Sequence, residues 1–177
     1  MLRRRFLGLV LMLENFGRQA WAQLAPDTAR YSALTNPVRI PLDSVATLWR
    51  PVPFVAEALL PADSPTPGRR VLIKGVLFRK EAASAASSVS ALCVTCPHEQ
   101  CPVELITDEE RLVKMRGGAS GPPMFECGCH FSKFDASQDG AWVSGVAYRG
   151  LFRFRIGAIG DGNVEINGIE EEALSVV

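Results

Sequence analysis

All five cysteines and both histidines of the chain lie between Cys93 and His130. They fall in two short blocks, Cys96-Pro97-His98-Glu99-Gln100-Cys101 and Cys127-Gly128-Cys129-His130-Phe131-Ser132, with Cys93 just ahead of the first. Crowding of soft sulfur and imidazole donors is what a metal site needs. Pro97, Pro102 and Gly128 favour the tight turns that would carry such donors on loop tips. Two hairpin-like loops of this kind can face each other and grip an object between their tips.

Size and charge narrow what surrounds that grip. With 177 residues the chain is long enough for one domain and a small subdomain. Its 47% hydrophobic and 21% charged residues are ordinary for a folded protein. Nineteen basic residues balance 19 acidic ones, so no cationic surplus exists to neutralise a nucleic acid. Five cysteines are too few for a disulfide-dense scaffold.

The N-terminus has the composition of an address. Arg3, Arg4 and Arg5 precede the apolar run Phe6 to Leu13, and Ala20 and Ala22 supply small residues for a signal-peptidase site. The arginines resemble a twin-arginine export signal. The apolar run is short of the ~20 residues a membrane span takes. Residues 1–22 are therefore expected to be an export signal or weak anchor, cleaved after Ala22, leading to the periplasm or the periplasmic face of the inner membrane. A linker is expected over 23–36 and a folded domain over 37–177.

Within that domain the patterns are those of strands. Val38–Leu42 and Val71–Lys80 are rich in β-branched and apolar residues, and Leu151–Ile156 alternates apolar residues with Arg153 and Arg155. Prolines from Pro51 to Pro67 suit strand edges and an exposed loop. Gly160-Asp161-Gly162-Asn163 is turn chemistry leading into a strand at 164–167. The Ala/Ser-rich stretch at 81–90 fits a helical turn or a mobile loop equally. The expected class is all-β, with the metal-binding subdomain at about 91–151.

Three occupants suit the donors. A zinc ion could take Cys93, Cys96, Cys127 and Cys129, making the chain a redox-inactive binding module, but both histidines would be idle. Two disulfides would serve an exported protein and leave the histidines unused. A two-iron cluster with cysteines on one iron and histidines on the other uses every donor except Cys93.

The pattern C-x-H-x2-C followed by C-x-C-H-x-S resembles the Rieske [2Fe–2S] proteins, with a weaker likeness over about 90–166. The resemblance implies a fold of stacked antiparallel sheets with a small cluster-binding subdomain, and one cluster per chain. It implies Cys96 and Cys127 as thiolate ligands of the inner iron, and His98 and His130 as ligands of the outer one. It also implies a Cys101–Cys129 disulfide, as in the higher-potential branch, and Ser132 as hydroxyl donor to a bridging sulfide. Imidazole ligation places such potentials at roughly −150 to +300 mV. Phe134 stands where the family has a tyrosine donor to a cysteine sulfur, so a lower potential than that of the quinol-oxidising relatives is expected. Glu99 and Gln100 replace a leucine and a glycine. The segment Gly145 to Leu151 resembles the family's proline loop, with Val146 and Tyr148 at the proline positions; the resemblance implies Gly145 and Tyr148 as cluster neighbours, with ordinary packing the alternative role for Tyr148. The longer stretch between His98 and Cys127 is expected to be an exposed hairpin or loop.

The function so implied is one-electron transfer, with no catalysis by the chain alone. The expected setting is a quinol–cytochrome c oxidoreductase, with cytochrome b and a c-type cytochrome as partners and membrane association through the complex. The alternative is the small subunit of a periplasmic molybdenum oxidoreductase of the arsenite-oxidase kind, paired with a molybdopterin subunit.

Overall fold

The computed structural model describes residues 29–82 and 88–176. The expected export segment lies outside them, as do residues 83–87 of the Ala/Ser-rich stretch. Among the described residues ten strands follow one another: β1 (Tyr31–Pro41), β2 (Val52–Leu59), β3 (Arg70–Arg79), β4 (Val89–Cys93), β5 (Val103–Ile106), β6 (Met124–Cys127), β7 (Lys133–Asp135), β8 (Ala141–Ser144), β9 (Phe154–Gly160) and β10 (Asn163–Glu170). Among the described residues one α-helix, α1 (Glu109–Met115), stands between β5 and β6. The all-β expectation holds. No described helix is long and apolar enough to cross a membrane.

β1 to β4, β9 and β10 form a six-stranded antiparallel sheet in the order β4-β3-β2-β1-β10-β9. It curls until its edges touch, where Leu92 bridges to Arg153 and the Cys93 amide donates to the Phe152 carbonyl at 2.8 Å. The curl encloses a core that includes Ile73, Leu77, Phe152, Ile166 and Ile169. Residues 31–36, expected to be linker, are the first half of β1, with Tyr31 paired to Glu170 and Leu34 buried. The expected turn at 160–163 joins β9 to β10, with Asp161 (φ 50°) and Gly162 (φ 72°) both left-handed, the geometry that suits a two-residue hairpin.

The chain leaves this sheet after β4 and rejoins it at β9. Between those points β5 to β8 form a second antiparallel sheet in sequence order. The wall shared by the two units can be traced in β3. Its first half alternates, with Val71 and Ile73 buried and Leu72 and Lys74 exposed, whereas Gly75, Val76, Leu77 and Phe78 are buried in succession. Alternation fails there because both faces are covered. Leu77 points into the curled sheet, while Val76 and Phe78 pack with Phe125, Phe134 and Leu151 of the smaller unit. β4 divides likewise, Ala91 and Cys93 to one core and Leu92 to the other. The smaller unit thus rests on a wall that the larger one fixes.

The stretch between β5 and β6 is not the hairpin or open loop expected. Asp108 caps α1 by accepting a hydrogen bond from the Arg111 amide at 2.8 Å, and Gly117 (φ 67°) follows its C-terminus. Leu112 of α1 is buried against Ile106 and Met124. That contact outweighs the marginal stability of so short a helix alone.

Gly75 tests the shared wall. A Cβ there would lie 2.4 Å from Phe54 Cζ and 2.7 Å from Phe154 Cε2, two rings packed edge to face at 4.9 Å. Gly75→Ala is expected to lower unfolding free energy by about 1–3 kcal/mol in urea titration; an unchanged midpoint would contradict this packing.

Candidate metal centre

The two cysteine blocks fold into the same turn. In the first, the Cys96 amide donates to the Cys101 carbonyl at 2.8 Å and the Gln100 amide to the Cys96 carbonyl at 3.0 Å. In the second, the Cys127 amide donates to the Ser132 carbonyl and the Phe131 amide to the Cys127 carbonyl, both at 2.9 Å. Each turn places its fifth residue in left-handed backbone, Gln100 at φ 59° and Phe131 at φ 55°. Neither is a glycine, so each holds backbone strain on the order of 1–2 kcal/mol. β4 and β5 clamp the first turn, helped by a bridge between Thr95 and Pro102, and β6 and β7 clamp the second.

Matched turns set matched cysteines at the base. Cys96 and Cys127 are each 1% exposed and belong to the core between the two sheets. Their thiols face each other. Burial pushes the Cys96 thiol up from its ordinary value, backbone donation from His98 pulls it down, and the neighbouring Cys127 thiol pushes it up again. Two such thiols become a pair of thiolates only where a cation stands between them.

The histidines occupy the outer end. Their rings meet edge to face with centroids 5.0 Å apart, and their side chains retain 30% (His98) and 44% (His130) of full exposure. The Glu99 carboxylate sits between them, 3.9 Å from His98 Nε2 and 3.9 Å from His130 Nδ1. Two buried sulfurs beneath two exposed imidazoles make the asymmetric donor set that a two-iron cluster with mixed ligation takes.

A disulfide joins the loops, Cys101 to Cys129, at a sequence separation of 28. Cys93 is free and fully buried in the core of the large sheet, where burial raises its thiol pKa. A zinc site of Cys93, Cys96, Cys127 and Cys129 is ruled out on these grounds, since one member is sealed elsewhere and another is spent in the bond to Cys101.

A third loop, residues 145–150, closes against the second turn. Gly145 (φ 97°) presses so near Ser132 that a Cβ would stand 2.5 Å from its Cα. The buried Ser132 hydroxyl oxygen accepts a hydrogen bond from the Ala147 amide at 3.0 Å, leaving its own proton free to donate. Phe134 is completely buried in the same core as Cys96 and Cys127, a purely apolar neighbour. Tyr148 is 68% exposed, so its side chain stands in solvent rather than against the cysteines. Nothing in the residue pattern singles out Ala147. Its role is carried by a backbone amide, which residue identity does not encode.

A family model, the Rieske [2Fe-2S] domain, matches residues 50–154, more than half of the 177-residue chain. The chain belongs to that family, and the family's cofactor is a [2Fe–2S] cluster. The Cys101–Cys129 bond fits the high-potential type. No curated protein matches the chain.

Closing 28 residues, the disulfide is expected to stabilise the protein by about 3–4 kcal/mol. Cys101→Ser should lose that much in denaturant titration; a loss under about 1 kcal/mol would show that the sheets alone hold the turns together.

Proposed function

We propose that Cys96 and Cys127 hold the inner iron of the cluster and His98 and His130 the outer one. The observation that carries this assignment is the pairing of two facing, buried thiols with two exposed imidazoles on turns of identical hydrogen bonding. Bound there, the cluster supplies a one-electron couple. The protein's part is to hold it, to keep water from its sulfur side and to present its nitrogen side to a partner.

Each task falls to identifiable residues. Phe125, Phe134 and Leu151, all 2% exposed or less, surround the thiols with hydrocarbon. Ser132 offers a buried hydroxyl proton whose oxygen the Ala147 amide has already engaged, so the proton is directed away from that amide. A donor of this kind stabilises added negative charge and raises a reduction potential. Phe134 provides no second hydroxyl, which holds the potential below that of relatives carrying a tyrosine there. His98 and His130 reach the surface, where Phe131 (67%), next to His130 in the second turn, and Val146 (54%) and Tyr148 (68%) of the third loop are also exposed.

That surface supports the role of iron–sulfur subunit in a quinol–cytochrome c oxidoreductase. An apolar rim suits a hydrophobic donor, and an exposed imidazole can hydrogen-bond a quinol hydroxyl. One observation favours the second setting, the molybdenum oxidoreductase. Glu99 fills the space between the imidazoles, placing an acid where a neutral quinol head would approach. Co-purification of a cytochrome b or of a molybdopterin subunit from the native source separates the two. An exported, periplasmic location accords with either.

Anaerobically prepared protein is expected to be reddish and to give a rhombic electron paramagnetic resonance signal on reduction. His98→Ala should abolish that signal while leaving the far-ultraviolet circular dichroism of the sheets. A colourless protein with stoichiometric zinc would contradict the assignment.

A further inference from the structure

Residues 145–150 lack the prolines that would stiffen such a loop, and its Val146 and Tyr148 side chains are exposed by 54% and 68%. Those two side chains cannot be what keeps Ala147 on Ser132. The next residue is anchored differently. One terminal nitrogen of Arg149 pairs with Glu170 and the other with Glu172, while the guanidinium lies 4.3 Å above the Phe152 ring. Glu170 itself is 2% exposed. It is fixed at the end of β10 by register with Tyr31, by its amide donating to the Arg153 carbonyl at 3.0 Å, and by Arg153 Nε at 2.5 Å. On the far side, the Leu151 amide donates to the Gly140 carbonyl at 2.9 Å, and Gly150 lies too close to that carbonyl to carry a Cβ.

We propose that Arg149 is a positioning residue for the electron-transfer site: its bridge to Glu170 ties the third loop to the large sheet and so holds the Ala147 amide on the Ser132 hydroxyl. The proposal rests on the assignment of Ser132 as a donor toward the cluster. The guanidinium is matched to the task because its planar fork engages two carboxylates and a ring face at once, which fixes direction as well as distance. Glu170 is nearly inaccessible to water, so its pairs are less screened than those on the surface. Glu172, with its side chain 73% exposed, contributes the weaker arm. The chain of contacts runs from β10 through Glu170 and Arg149 to Ala147 and ends at the hydroxyl whose proton orientation bears on the potential.

The full chain with Arg149→Ala, Arg149→Lys and Glu172→Ala tests this through two readouts. In amide hydrogen exchange, Arg149→Ala is expected to speed Ala147 by about tenfold or more, the response to losing a charged hydrogen bond, with β3 amides unchanged. Arg149→Lys, which keeps one contact with Glu170, should fall between, and Glu172→Ala should stay near the parent. Unchanged exchange at Ala147, or equal acceleration in β3, would overturn the proposal; if the alanine variant does not fold, the lysine variant decides by the same criterion. The second readout is the midpoint potential. Ser132→Ala should lower it in the parent and lower it less in the Arg149→Lys background, since a hydroxyl already misdirected has less to lose. Equal shifts in both backgrounds would overturn a role acting through Ser132. Exchange needs no cluster, so a chain that binds none would refute the ligand assignment while the anchoring claim was still decided.

Discussion

Two turns with one hydrogen-bonding pattern face each other across the Cys101–Cys129 bond, and that opposition organises the molecule. Equivalent turns place equivalent cysteines, Cys96 and Cys127, at the same depth. The histidines occupy different steps, His98 two residues after its cysteine and His130 three, yet both end at the open side within 5.0 Å of each other. Inequality between the two ends of the site is therefore a matter of depth. Sulfur sits where hydrocarbon excludes water, and nitrogen sits where a partner can arrive. The left-handed backbone at Gln100 and Phe131 is the cost of turning so tightly without glycine, and the disulfide and flanking strands offset it.

Rigidity beneath the turns comes from the larger sheet. β3 and β4 serve both cores, so Val76, Phe78 and Leu92 fix the smaller sheet to strands whose opposite faces are already buried. The insertion between β5 and β6 adds a further buttress through Leu112. Above the site, the third loop depends on backbone contact with Ser132 and on ion pairs at Arg149, not on proline stiffness. One frame therefore serves two ends: a covalent clasp at the rim and an electrostatic anchor at the side.

Much of this was legible in the sequence because the chemistry of the donors is in side chains. The Cys and His spacing, the all-β class and the Asp161-Gly162 turn all follow from residue identity. The first half of β1 was not legible, since Asn36 and Pro37 disfavour a strand and pairing with β10 on one side and β2 on the other holds it. Helix α1 carried its signals, an Asp cap, acids in the first turn and a closing glycine, but brevity hid it among polar residues. Tyr148 is 68% exposed, and it is Gly145 and Ala147 that bring backbone rather than side chains to Ser132. Backbone contacts of that kind leave no mark in residue type. The pairing of Arg149 with Glu170 is equally invisible, joining residues 21 apart where Glu171 and Glu172 are equally plausible partners by residue type.

Central to the account is nitrogen ligation at one end of the site only. Pulsed electron paramagnetic resonance of the reduced protein, grown with nitrogen-15 histidine, reads that directly. Strong couplings to two inequivalent imidazole nitrogens, lost on growth with unlabelled histidine in favour of nitrogen-14 couplings, are what His98 and His130 as ligands predict. A reduced cluster with no strongly coupled histidine nitrogen would contradict it.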